Sequence, residues 1–200
     1  MSYISKKTYL TGFFSALIIC MVIFSGCTQA GDEKSGQDTN AAIKGNLTLT
    51  GSDGIETVYS YDEILEMQDA LGYGYSVSTV GIKYGPYECR GVPLTELIQK
   101  AGGMKENDSL WISANDGYMW VFDYDQVNGR DFITLNPDLK EIEPPELKVI
   151  LMYEQDKEPL SYNDGAPFRI AIISDSKDVI TEGSSWVKWV EKIEIKGGNS

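Results

Sequence analysis

Cysteine, arginine and lysine are the side chains in this chain with chemistry to offer, because the 200 residues contain no histidine. Ser-His-Asp and Cys-His catalysis and histidine-ligated metal sites are excluded on that ground. Of three cysteines, Cys20 and Cys27 fall in the N-terminal stretch, which leaves Cys89 as the single thiol of the later chain and rules out a disulfide within it. A thiolate there would be a soft metal ligand; a small, buried, inert side chain is the simpler reading. Arg90, beside it, is a cation that by itself discriminates nothing. Asp116, Asp123 and Asp125 invite calcium, but the spacing lacks the glycine and distal glutamate of a calcium loop, so a solvated acidic edge is the better reading. Four tryptophans, Trp111, Trp120, Trp186 and Trp189, could line a cleft, although aromatics more often fill the core and cross-strand positions of small sheets.

The N-terminus orders Lys6 and Lys7, a mainly apolar run from Tyr9 to Phe24, and then Ser25-Gly26-Cys27, the pattern of an export signal. Phe24-Ser25-Gly26-Cys27 resembles the lipobox of prokaryotic lipoproteins, with Phe24 where an aliphatic residue is usual; this implies acylation at Cys27 and an extracytoplasmic, membrane-anchored protein. The apolar run is short for a bilayer span of about 20 residues. Residues 1–26 are thus read as signal peptide and 27–44 as a lipidated, flexible tether too polar to bury its own ordering cost. Residues 45–197, about 150 in number, are read as one domain. The formal charge of −13, near −15 without Lys6 and Lys7, argues against a nucleic-acid partner and leaves membrane attachment to the lipid.

The elements that must position these residues are short. Asn46 to Gly51 alternates as a strand, and Ser60-Tyr61-Asp62-Glu63 is a capping box opening a helix with Ile64, Leu65 and Met67 on its apolar face. Tyr75 to Val80 reads as a strand and Gly81 to Gly91, rich in Gly, Pro and Tyr, as a loop. Pro93 fits the first turn of a helix whose Leu94, Leu97, Ile98 and Ala101 share one face, with Gly102 at the left-handed cap. Asn115-Asp116-Gly117 predicts a hairpin between Ser109–Ala114 and Tyr118–Phe122. Asp123 to Val127 predicts one helical turn, Leu135 to Glu146 a proline-containing connection, and Val149–Tyr153, Phe168–Ile173 and Val190–Ile195 strands. Short strands with a few short helices predict an α+β domain built on a mixed β-sheet.

Four stations together resemble the oxidoreductase molybdopterin-binding domain, the fold of the sulfite oxidase family. They are Arg90-Gly91-Val92-Pro93-Leu94 with its helix, Asp116-Gly117-Tyr118, Gly165-Ala166-Pro167-Phe168-Arg169, and Trp186-Val187-Lys188-Trp189-Val190. The resemblance implies a molybdenum cofactor, oxidoreductase chemistry, and an external electron carrier or partner protein, since no haem or iron–sulfur motif is present. It also implies a metal-ligating cysteine ahead of the Gly-Val-Pro-Leu helix, at the station held here by Thr79. Cys89 lies nearby, where the family often has tryptophan, and would have to reach the metal by another route. Arg169 and Lys188 match positions that serve pterin and phosphate binding; Asp164 stands where histidine is common, and its carboxylate would repel a phosphate. The expected protein is a lipid-anchored member with an altered cofactor site, the alternative being a cofactor-free module for a small anion or a partner protein.

Overall fold

The computed structural model describes residues 42–198, and the proposed signal sequence and most of the tether lie outside the described residues. Within them the elements are β1 (Asn46–Thr50), β2 (Glu56–Ser60), α1 (Tyr61–Leu65), β3 (Ala70–Val77), β4 (Lys83–Pro93), α2 (Leu94–Lys100), β5 (Ser109–Ala114) and β6 (Met119–Phe122). There follow α3 (Tyr124–Val127), β7 (Thr134–Leu135), β8 (Glu141–Ile142), β9 (Lys148–Gln155), β10 (Glu158–Pro159), β11 (Arg169–Ser174), β12 (Thr181–Glu182), a 3-10 turn at Gly183–Ser185, and β13 (Val190–Lys196). No helix among the described residues is long and apolar enough to cross a membrane.

Local signals fold as their chemistry dictates. Ser60 Oγ accepts the Glu63 N–H at 3.3 Å while the Ser60 N–H donates to Glu63 Oε2 at 2.7 Å, so α1 starts on a complete capping box. Its buried residues are Tyr61 and Ile64; Leu65, expected on the apolar face, is exposed. In α2, Leu94, Leu97 and Ile98 are buried, each contributing about 1.5–3 kcal/mol of apolar burial. Pro93 ends β4 and stands at the N-cap position, one residue before the helix rather than inside its first turn. Gly102, at φ +90°, turns the chain so that the Gly103 N–H reaches Ile98 O at 2.9 Å and the Gly102 N–H reaches Gln99 O at 3.2 Å. Those two bonds satisfy carbonyls the helix would otherwise leave open.

Tertiary pairing assembles two mixed sheets in place of the single one expected. The first runs β2-β1-β13-β5-β6, with β1 and β13 parallel. The second runs β10-β9-β11-β3-β12, and β4 pairs with both β3 and β9, so β9, β11, β3 and β4 close a ring of antiparallel pairings. The domain is sheet-rich with three short helices, a weaker helical content than α+β suggests. Gly81 to Gly91, read as a loop, is mostly strand: Gly85 and Pro86 sit where the β3–β4 register shifts between Gly74 and Ser76, a bulge that admits residues a regular ladder would reject. One hydrophobic cluster joins both sheets through Leu47, Ile112, Ile150, Ile170 and Ile193. Ala42 packs against that cluster and Lys44 pairs with Asp62, so residues 42–44 lie on the domain.

Candidate functional site

A cleft of about 550 Å³ opens where the β5–β6 hairpin of the first sheet meets the end of β3, the start of β4 and the segment 183–189. Its floor is made by Arg169, Trp186 and Lys188. Arg169 opens β11 and is only 8% exposed. Its guanidinium lies 5.2 Å from the centre of the Trp186 ring, and Nη1 donates to the Asp164 carbonyl at a long 3.4 Å. Nε is buried without a partner, and no carboxylate pairs with this arginine among the described residues. Burial pushes its pKa down, opposed by the charges of Cys89, Asp164 and Tyr87. A buried cation without a counter-ion is costly, which makes Arg169 a standing demand for an anion.

Lys188 supplies the second cation. Its Nζ donates to Asn163 O at 2.5 Å and lies 5.9 Å from the Trp189 ring. Burial and the Arg169 charge push its pKa down, and the Asp164 carboxylate pushes it up. Backbone geometry fixes its place: Gly165 has φ +107°, and a Cβ there would sit 2.9 Å from Lys188 Cβ. The next residue, Trp189, holds φ +53°, a strained conformation for a bulky side chain. It is retained by three bonds, from its N–H to Gly165 O at 3.1 Å, from Nε1 to Tyr162 O at 2.7 Å, and from the Asn115 N–H to its own carbonyl at 3.0 Å.

The hairpin forms the opposite wall. Asp116 Oδ1 accepts the Tyr118 N–H at 2.9 Å, and the Tyr118 hydroxyl donates to Ser184 O at 2.8 Å, binding the hairpin tip to the 3-10 turn. Ser184 Oγ, like Arg169 Nε, is buried with no partner among the described residues. Arranged in this way the cleft can hold an oxyanion against Arg169 and Lys188 and a flat ring among tyrosines and tryptophans.

The residues singled out by sequence divide into two groups. Thr79, Arg169, Lys188 and Asp164 all line the cleft, and so do Trp186 and Trp189. Arg90 does not: it lies on the outer face of β4, where Nε donates to Asp69 Oδ2, whose carboxylate also accepts the Tyr153 hydroxyl at 3.3 Å. Strand alternation sends its neighbour Cys89 inward, fully buried. Cys89 is not on the cleft lining; its sulfur packs near Gly74, where an added Cβ would meet Sγ at 2.8 Å and the Trp186 ring at 2.6 Å. Burial pushes its thiol up to about 12, so it is a neutral side chain behind the Trp186 wall. Asp123 caps α3 through the Gln126 N–H at 2.8 Å, and Asp125 pairs with Arg130 at 2.7 Å. Trp111 stacks under Lys196 away from the cleft. Sequence reasoning missed Tyr84, Tyr87 and Ser184; the clustering of tyrosines between Gly81 and Gly91 was the available signal, and it reads equally well as loop composition.

Residues 46–200 match the family model of the oxidoreductase molybdopterin binding domain. Among solved structures, the crystal structure of the sulfane dehydrogenase SoxCD from Paracoccus pantotrophus matches with a TM-score of 0.57 and 19% identity, over 76% of this chain and 38% of that chain. That likeness concerns the fold, and this chain spans well under half of the neighbour's length. No curated protein matches.

Proposed function

The chain belongs to the oxidoreductase molybdopterin binding domain family, and we propose that it is an exported, lipid-anchored member whose cleft holds the anionic, organic part of the family's cofactor without giving the metal a protein thiolate. The single observation that carries this is the Arg169 guanidinium, buried on Trp186 with, among the described residues, an unpartnered Nε and no paired carboxylate. With Lys188 it supplies the donors a phosphate needs. Metal ligation fits less well. Thr79 offers a hydroxyl at the station of the expected cysteine, and Cys89 is a neutral thiol off the lining. When bound, a molybdenum cofactor supplies oxygen-atom and two-electron chemistry; the contribution of this chain is to anchor the phosphate, to seat the ring between Tyr84, Tyr118 and Trp189, and to exclude water at the Trp186 floor. An external carrier or partner protein would exchange the electrons. Export and the lipid anchor at Cys27 rest on the N-terminal sequence pattern.

The test is pterin fluorescence and elemental molybdenum on the full chain made in a host that matures and exports this cofactor. The expected result is bound pterin with metal below one equivalent, unchanged in Cys89→Ser and raised in Thr79→Cys. Stoichiometric metal that disappears in Cys89→Ser would overturn it. A second reading, a cofactor-free site for a small anion or partner protein, is favoured by Asp164, whose carboxylate acts on both cations and opposes a dianion. Phosphate binding without any pterin would select that reading.

A further inference from the structure

We propose that the cleft has two poles, with Asp116 receiving the N–H edge of a flat 2-amino-pyrimidinone ring whose phosphate lies against Arg169 and Lys188. This rests on the anion-binding reading above and adds to it the residue that selects the ring.

The two carboxylates of the lining are in different situations. Asp164 is engaged at the cationic end: Oδ2 accepts the Ser161 hydroxyl at 2.6 Å, and its charge acts on both Arg169 and Lys188. Asp116 is not among the charges acting on either cation, and it pairs with no lysine or arginine among the described residues. The Glu182 charge acts on Tyr118, so the hairpin end of the cleft is acidic while the floor is cationic. The hairpin is held against the 183–189 segment by the Tyr118 to Ser184 and Asn115 to Trp189 bonds, which keep Asp116 on the wall instead of swinging free.

Among the described residues only one of the acceptor positions of Asp116 is in use, by the Tyr118 N–H, and a carboxylate offers about four. Two parallel N–H groups, as on a 2-amino-pyrimidinone edge, match a carboxylate in the way an arginine fork does. Between the poles, Tyr84 comes from β4 and Tyr118 from the hairpin, each 44% exposed and stacked on no other ring among the described residues. Their free faces suit an aromatic heterocycle. A volume of about 550 Å³ accommodates one such ring with its phosphate arm. A pterin and a guanine share this edge, so the ring chemistry is assigned and its source is for experiment to decide.

Binding to the detergent-solubilised full chain would be measured by calorimetry with inorganic phosphate, a pterin monophosphate, guanosine monophosphate and inosine monophosphate, the last lacking the 2-amino group. The expected result is that the pterin and guanine esters bind about tenfold more tightly than the inosine ester, the value of one charge-assisted hydrogen bond. Asp116→Asn, which keeps the acceptor for Tyr118, should bring that ratio to about one, weakening inosine monophosphate less than the other two esters because its one remaining ring N–H also meets the carboxylate, with inorganic phosphate affected least of the four. Tighter binding of the pterin ester assigns the site to the cofactor, tighter binding of the guanine ester to a nucleotide. Equal affinities in the unaltered protein, or a ratio that survives Asp116→Asn, would overturn the second pole alone. Failure of all four ligands to bind would overturn the anion reading with it.

Discussion

Arg90 and Arg169 flank the same strand, β9, one through β4 and the other through β11, and they finish in opposite electrostatic states. Arg90 is half exposed, and the Asp69 hydrogen bond raises its pKa. Arg169 is buried on an indole, and desolvation lowers its pKa against the weaker opposing pull of its neighbours, Asp164 among them, with no carboxylate paired to it among the described residues. The first is a satisfied surface ion pair, worth little to stability and closed to ligands. The second is an unmet electrostatic demand inside a cleft, which is what a binding site for an anion requires before its ligand arrives. Position in the sheet, and not residue type, separates the two.

The sharpest way to break this contrast is to remove each charge in turn. Arg169→Met should weaken phosphate binding by about 100-fold, as expected for loss of charge-assisted bonds, while thermal unfolding shows no loss of stability because an apolar group replaces an uncompensated ion. A fall in melting temperature with affinity unchanged would make Arg169 structural. Gly165→Ala should cost about 1–3 kcal/mol in chemical denaturation and displace Lys188, since it forces a side chain into φ +107° against the Lys188 stem.

The inner and outer faces of β4 can be compared through Cys89, the neighbour of Arg90. Its thiol, near 9 when free, is pushed up to about 12 by burial, so the folded state favours the neutral form. Its contribution is therefore complete below pH 9 and is lost as pH rises toward 12, at about 1.4 kcal/mol per pH unit. Denaturation of the wild type and Cys89→Ala at pH 8 and pH 10 measures this as a difference in slope, and parallel curves would show the sulfur to be solvated. The smallest effect belongs to Arg90→Ala: phosphate affinity should be indistinguishable from wild type. A loss there would return Arg90 to the site and erase the contrast.

Much of the cleft was legible before folding. The Gly165-to-Arg169 and Trp186-to-Val190 stations mark two of its walls, and Asp116-Gly117 marks the hairpin that makes a third. What was not legible was the sorting of similar residues. Arg90, Arg169 and Lys188 read alike as cations, and Cys89 and Thr79 alike as candidates for one metal position. The alternation of β4, and with it the fate of Cys89 and Arg90, was hidden because Gly85 and Pro86 gave the segment the composition of a loop. Ser184 carried no signal and Tyr84 only its place in a tyrosine-rich stretch that reads equally well as a loop, since the importance of both comes from what the fold brings opposite them.

The amino-acid sequence alone determined the capping box of α1, the closing turn of α2 and the Asp-Gly hairpin, because each is settled by hydrogen bonds and dihedral preferences within a few residues. It also determined the absence of histidine chemistry. Only the tertiary structure decided that β4 joins β3 and β9, that Arg169 loses its solvent without gaining a counter-ion, and that Cys89 is sealed behind Trp186. Burial and charge pairing depend on segments far apart in the chain, and desolvation is set by what the other strands bring against a residue, not by the residues beside it.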